Sequence, residues 1–141
     1  MRVFLDTNVL ISNFMWGGVC AQVVEVTVSG HSVVTGEFVL EETKRVLFEK
    51  FSVPNQEIQE YTSVFRRYHV EPHAEDPYEI PIDDSSDPWI LAAAVNAEAQ
   101  VLVTGDKPFQ SANPHVGELL ICSPKEFLNM TEKRVAEIGS N

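Results

Sequence analysis

The chain has 141 residues, the size of one domain of about 100–150 residues, with too little left over for a second core. Its 44% hydrophobic and 22% charged content excludes wholesale disorder and fibrous repeats. Twenty-one Asp and Glu against ten Lys and Arg give a net charge of −11. That excludes a broad cationic surface for nucleic acid and leaves three readings of the acid surplus: solubility, a basic partner, or carboxylates gathered around a divalent cation.

Residues 2–5 are a β-rich run ending at Asp6, and the apolar stretch 9–15 after Thr7-Asn8 reads as a strand feeding a helix. Gly17-Gly18 breaks that pattern, and Ala21, Val24 and Val28 mark a second helical piece that stops near Gly30. Residues 32–35 give a second strand. Residues 37–51 are helical, with Val39, Leu40, Val46 and Leu47 on one face. Pro54 opens another helix over 55–68, where Ile58, Tyr61, Val64, Phe65 and Tyr68 recur at steps of three and four. Residues 69–84 are proline-rich and acidic and read as a loop with short extended pieces. Asp87-Pro88 starts a helix through Ala97, residues 101–103 make a strand ending at Thr104-Gly105-Asp106, and a last strand over 119–121 precedes a helix from Pro124.

Alternating strand and helix predicts a parallel sheet covered on both faces, a three-layer α/β/α domain of class α/β. The domain spans residues 1–130. Residues 131–141 have weak periodicity and read as a C-terminal tail that frays or meets a partner. The longest apolar runs, 90–95 and 119–122, fall far below the ~20 residues a bilayer span needs, and no secretory segment opens the chain. The expectation is a cytoplasmic protein with no membrane contact. Cys20 and Cys122 lack metal or redox spacing and read as buried free thiols. The four histidines lack ligand spacing and read as surface residues.

In a sheet of this kind ligands collect beyond the carboxyl ends of the strands, where strand order reverses. Asp6 follows the first strand directly and Asp106 lies just past the strand at 101–103, so both belong to that rim. Asp87, with Pro88 as first helical residue, caps a helix start on the same rim. Of the acids on the 37–51 helix, Glu42 borders the Val39, Val46 and Leu47 stripe whereas Glu41 points nearly away from it. Four carboxylates cannot all stay ionised at close range without a counter-charge. Oxygen-only ligation suits Mg²⁺ or Mn²⁺, the layout of metal-assisted phosphodiester hydrolysis.

Those stretches also carry a resemblance. Val3 through Leu10, the Glu42 helix, Asp87-Pro88-Trp89-Ile90-Leu91-Ala92-Ala93 and Val103-Thr104-Gly105-Asp106 resemble, in order and spacing, the PIN-domain ribonucleases. The likeness is closest to the VapC-like toxin components of type II toxin–antitoxin pairs. It implies a PIN-like, five-stranded parallel sheet and a Mg²⁺- or Mn²⁺-dependent endoribonuclease. It further implies homodimers and a neutralising antitoxin. Carried over by position, the catalytic and metal-ligating set is Asp6, Glu42, Asp87 and Asp106, with Asn8 or Thr104 as polar support. The crowded Asp83-Asp84-Ser85-Ser86 offers Asp84 as an alternative to Asp87; the helix pattern after Asp87 favours Asp87.

Each acid taken singly has an ordinary role, as a helix cap or in a Gly-Asp turn; their convergence carries the functional reading. Lys107, beside Asp106, is the cation best placed to meet phosphate. Trp16 reads as a loop anchor and Trp89 as core. The competing reading is a PIN-like fold kept as a non-catalytic RNA-binding or protein-interaction module.

Overall fold

The computed structural model describes residues 1–79, 87–105 and 115–139, with the backbone alone at Asp87 and over residues 134–139. The expectations placed on Asp84, the Asp87 side chain, Asp106 and Lys107 lie outside the described residues.

The chain opens with β1 (Arg2–Leu5), α1 (Thr7–Met15), α2 (Gly18–Gly30), β2 (Ser32–Gly36) and α3 (Glu37–Glu49). It continues with α4 (Asn55–Phe65), β3 (His69–Glu71), α5 (Asp87–Asn96), β4 (Val101–Val103), β5 (His115–Val116), β6 (Leu119–Cys122) and α6 (Pro124–Gly139). The six described strands form one sheet in the order β3-β2-β1-β4-β6-β5. Every pairing is parallel except β5 with β6. This is the expected α/β architecture, extended by a short antiparallel edge.

The continuous apolar runs of β1 and β4 reflect burial on both faces. Val3, Phe4, Leu5, Leu102 and Val103 are fully buried beside Leu91, Ala94 and Phe127. A second, smaller core of Leu47, Val53 and Ile58 sits among α1, α3 and α4, with Ile11, Phe14, Met15, Phe51 and Tyr61 packed against it. Tyr61 is the joint between α4 and α1: its hydroxyl donates to the Leu10 carbonyl at 2.6 Å and accepts from Asn13 Nδ2 at 2.9 Å. Burial pushes its phenol up to about 12. The ends of α3 and α4 are tied by Arg66, whose guanidinium grips the Glu37 carboxylate through both nitrogens. That hydrogen bonding holds the Glu37 carboxyl below its ordinary range.

The structure differs from the sequence reading at several points. The 69–84 stretch contributes a sheet strand, β3, paired with β2. α4 stops at Phe65 because Arg66, Arg67 and Tyr68 tighten to i→i−3 bonds. α6 continues past Met130 to Gly139, with Thr131 buried. Trp16 is 66% exposed, touching Phe51 edge-on, and Trp89 is only half-buried. Cys122 is buried, its thiol pushed up to about 12 by desolvation, but Cys20 is only partly buried. His69 and His73 are surface residues, as expected, each paired with a glutamate. Among the described residues no single helix is long and apolar enough to cross a membrane.

Two expectations for stability follow. Thr43 is fully buried on α3 and its hydroxyl has no hydrogen-bond partner, a defect that costs about 1–3 kcal/mol. Thr43→Val, of nearly the same shape, should raise stability by about 1 kcal/mol in urea unfolding; an unchanged or lower midpoint would mean that the hydroxyl is satisfied. The Tyr61 phenol binds its proton more tightly folded than unfolded, so its contribution is whole below its ordinary value of 10 and is lost as pH climbs from there towards 12. Tyr61→Phe should cost about 1–2 kcal/mol at pH 7, through the unpaired Leu10 carbonyl and Asn13 amide, and should flatten the fall in stability between pH 10 and 11. A Tyr61→Phe protein with the same alkaline slope as the parent would refute this account.

Candidate active site

The chain runs from β1 outward through β2 to β3, then returns to place β4 on the other side of β1. The crevice beyond the carboxyl ends of β1 and β4 is therefore the switch point of the sheet, where connections leave in opposite directions and open a cleft. The first residue past β1 is Asp6, and the first past β4 is Thr104. Sheet bonding carries one residue beyond each strand: the Asp6 amide donates to the Val103 carbonyl at 3.2 Å, and the Thr104 amide to Cys122 at 3.0 Å. Thr35 on β2 also donates its hydroxyl to the Leu5 carbonyl at 3.2 Å. The backbone under both side chains is thus fixed by the sheet.

Asp6 is 2% exposed. A carboxylate taken out of water needs donors, since an uncompensated buried charge costs several kcal/mol. Its Oδ1 accepts from the Thr7 amide at 2.6 Å, the first N–H of α1. Its Oδ2 accepts from the Thr104 hydroxyl at 2.7 Å, with Asn8 Nδ2 at 3.5 Å. Asn8 also spans the cleft, its Nδ2 3.4 Å from Thr104 Oγ1 and its Oδ1 accepting from the Gly105 amide at 2.8 Å. The Thr7 amide, the Thr104 hydroxyl and the Asn8 amide all donate to Asp6. The helix-cap role expected of Asp6 as its ordinary function is real and coexists with its place in this network.

The predicted site residues are therefore distributed as follows. Asp6, Asn8 and Thr104 are brought together in one hydrogen-bonded group. On α3, Glu42 has a side chain 18% exposed against 62% for Glu41, so the helical wheel separated them in the right order. Glu42 pairs with Arg45 at 3.8 Å, and Glu41 with His73. The backbone of α5 descends from the carboxyl side of the sheet: a Cβ on Gly36, at the end of β2, would stand 3.5 Å from that of Ala93, and Arg2 at the other end of β1 grips the Ala97 carbonyl. The start of α5 at Asp87 thus belongs to the rim that carries Asp6. Among the described residues no three His, Cys, Asp or Glu side chains converge to hold a metal ion.

The donor atoms present nevertheless suit a hard divalent cation. Those that meet there are oxygen, the Asp6 carboxylate and the Thr104 hydroxyl, and the neighbouring Thr7 has a buried hydroxyl with no hydrogen-bond partner. Sequence reasoning found Asp6, Asn8 and Thr104 but missed the Thr7 and Gly105 amides. Backbone donors leave no mark on residue type, although a helix start directly after a strand signals the first of them.

Fold and rim together define a three-layer α/β/α domain with a buried acid at its switch point. The PIN domain family profile matches residues 2–108, and the chain belongs to that family. No curated protein matches it. Among solved structures, VapBC2 from Rickettsia felis, bound to a DNA fragment from their promoter, superposes with a TM-score of 0.64 at 15% identity, covering 87% of this chain and 98% of that one. Mycobacterium tuberculosis VapC20, a sarcin–ricin loop cleaving toxin, superposes at 0.55 with 16% identity, covering 79% and 95%. At such identities the likeness is one of fold.

The Thr104–Asp6 bond sets a measurable expectation. Thr104→Val removes the hydroxyl donor from a buried charged acceptor and should cost about 1.5–3 kcal/mol in chemical unfolding at pH 7, while Thr104→Ser should recover most of the loss. Equal stability of Thr104→Val and the parent would show that this hydroxyl does not support the Asp6 charge.

Proposed function

We propose that this protein is a Mg²⁺- or Mn²⁺-dependent endoribonuclease that hydrolyses RNA phosphodiester bonds at the β1/β4 rim, acting as the toxin of a toxin–antitoxin pair. The observation that carries the reading is Asp6: a carboxyl group buried at the switch point of a PIN-family sheet and met there by aligned donors. Desolvating a carboxyl group to that depth has a cost that folding alone does not require. The proposed ligand set is Asp6 with Glu42, Asp87 and Asp106, each assigned by its place in the chain. When bound, the cation supplies phosphate polarisation and a more acidic water.

The chain's own residues do the rest. Asp6 offers a fixed carboxylate whose geometry is set before substrate arrives, so little reorganisation accompanies binding. Thr104 and the Thr7 amide hold that carboxylate in its acceptor form. Lys107, adjoining Asp106, is proposed to meet the scissile phosphate. With a net charge of −11 the protein gains little from long-range steering, so RNA recognition rests on contacts at the rim and should depend only weakly on salt. RNA as substrate is supported by the sarcin–ricin loop cleavage described for VapC20, and an antitoxin partner by VapBC2. A homodimer working in the cytoplasm completes the proposal.

The decisive experiment uses purified protein and end-labelled RNA. Cleavage should require Mg²⁺ or Mn²⁺, cease with chelator, and fall by roughly 100-fold or more in Asp6→Asn, with circular dichroism unchanged. Undiminished cleavage by Asp6→Asn would place the activity elsewhere. RNA binding without any cleavage by the parent would favour the non-catalytic module.

A further inference from the structure

We infer that Asn8 is a positioning residue, a clasp that fixes Gly105, just past β4, against the start of α1 and so holds the two sides of the rim around Asp6 in place. The inference rests on the nuclease reading of the rim and makes specific the polar support expected of Asn8, by naming the backbone group it holds.

The argument starts from the chemistry of a carboxamide, which has one accepting and one donating end. Asn8 faces two unlike neighbours: the Gly105 N–H on one side, and on the other the oxygen pair of Asp6 Oδ2 and Thr104 Oγ1. Only one orientation suits both. Oδ1 turns to Gly105, where it accepts at 2.8 Å. Nδ2 turns to the oxygens, at 3.4 and 3.5 Å. The flipped amide would set N–H against N–H and oxygen against carboxylate. The short contact is the one to the backbone, whereas the two long ones are weak. Asn8 therefore spends its strongest bond on holding the turn.

The placement of that bond gives it leverage. Val103 is held in the sheet by β1 and β6, and Thr104 is still held by Cys122. Gly105 is the first residue beyond the ladder, and it is exposed. Its amide is anchored by a residue of α1, 97 positions earlier in the chain. A Cβ on Gly105 would already stand 3.4 Å from Asn8 Oδ1, which marks how closely the turn approaches. Asn8 thereby ties Gly105 directly to the element that Asp6 caps.

Amide hydrogen exchange measured by NMR on the whole protein, without metal or RNA, tests the clasp directly. In Asn8→Ala the Gly105 amide should exchange about 10-fold faster, the worth of one hydrogen bond. In Asn8→Asp one oxygen still accepts from Gly105 but the other faces the Asp6 carboxylate, so Gly105 exchange should fall between those of the parent and Asn8→Ala. RNA cleavage by Asn8→Ala should lose kcat by about 10-fold or more with KM nearly constant, as expected when catalytic groups are misplaced but binding is kept. Gly105 exchange that is unchanged in Asn8→Ala overturns the clasp, and so does a loss confined to KM, which would make Asn8 a substrate contact. Because exchange needs neither metal nor RNA, a parent protein that cleaves nothing would defeat the nuclease reading while leaving this readout to decide the clasp.

Discussion

The rest of the rim is arranged around one constraint: a carboxylate that is out of water must be met by donors. Asp6 is held by the first amide of α1, by a hydroxyl from the residue after β4 and, more weakly, by Asn8. These groups come from both sides of the switch point, so the charge can be accommodated only when β1 and β4 are paired in register and α1 has started on time. Each bond to a charged acceptor is worth about 1.5–3 kcal/mol, a meaningful share of the 5–15 kcal/mol by which domains are stable. On the proposed nuclease reading, the same bonds that allow Asp6 to be buried also prepare it as a ligand. Stability and the proposed function then draw on one set of contacts, with the geometry of the carboxylate fixed in advance.

Much of this was legible in the sequence because it followed from elements with strong patterns. The apolar runs of β1 and β4 and the break at Gly17-Gly18 fixed where the chain turns, and the position of Asp6 immediately after a strand placed it on the carboxyl rim. Glu42 was separated from Glu41 by a 100° step on a helix whose apolar face was unambiguous, and the difference in their exposure bears that out. Placement could be read where local rules and tertiary packing agree.

Other features left too little signal. His69–Glu71 is three residues long, too short for an alternation to appear, and only pairing with β2 makes it a strand. His115–Val116 exists as a strand only through its antiparallel partner β6. The extent of α4 was overestimated because Tyr68 continues the apolar period although the backbone has already tightened. Trp16, read as a loop anchor, does touch Phe51 edge-on at the end of α1, but the sequence gives no measure of how much of its ring stays exposed. The Tyr61 joint was hidden for another reason: a helical stripe announces that a tyrosine packs, but not which carbonyl its hydroxyl will find.

The two margins of the sheet constrain how this molecule can associate. Among the described residues one margin is a strand of three residues and the other a reversed strand of two, so neither of these strands presents the long row of unpaired backbone groups on which another chain could add a strand. Strand-by-strand growth on these edges is disfavoured, which favours helical surfaces for a second copy or a protein partner that docks stably. Assembly would then be governed by side-chain shape and charge, which substitutions can tune one residue at a time without disturbing the ladder that supports the acid.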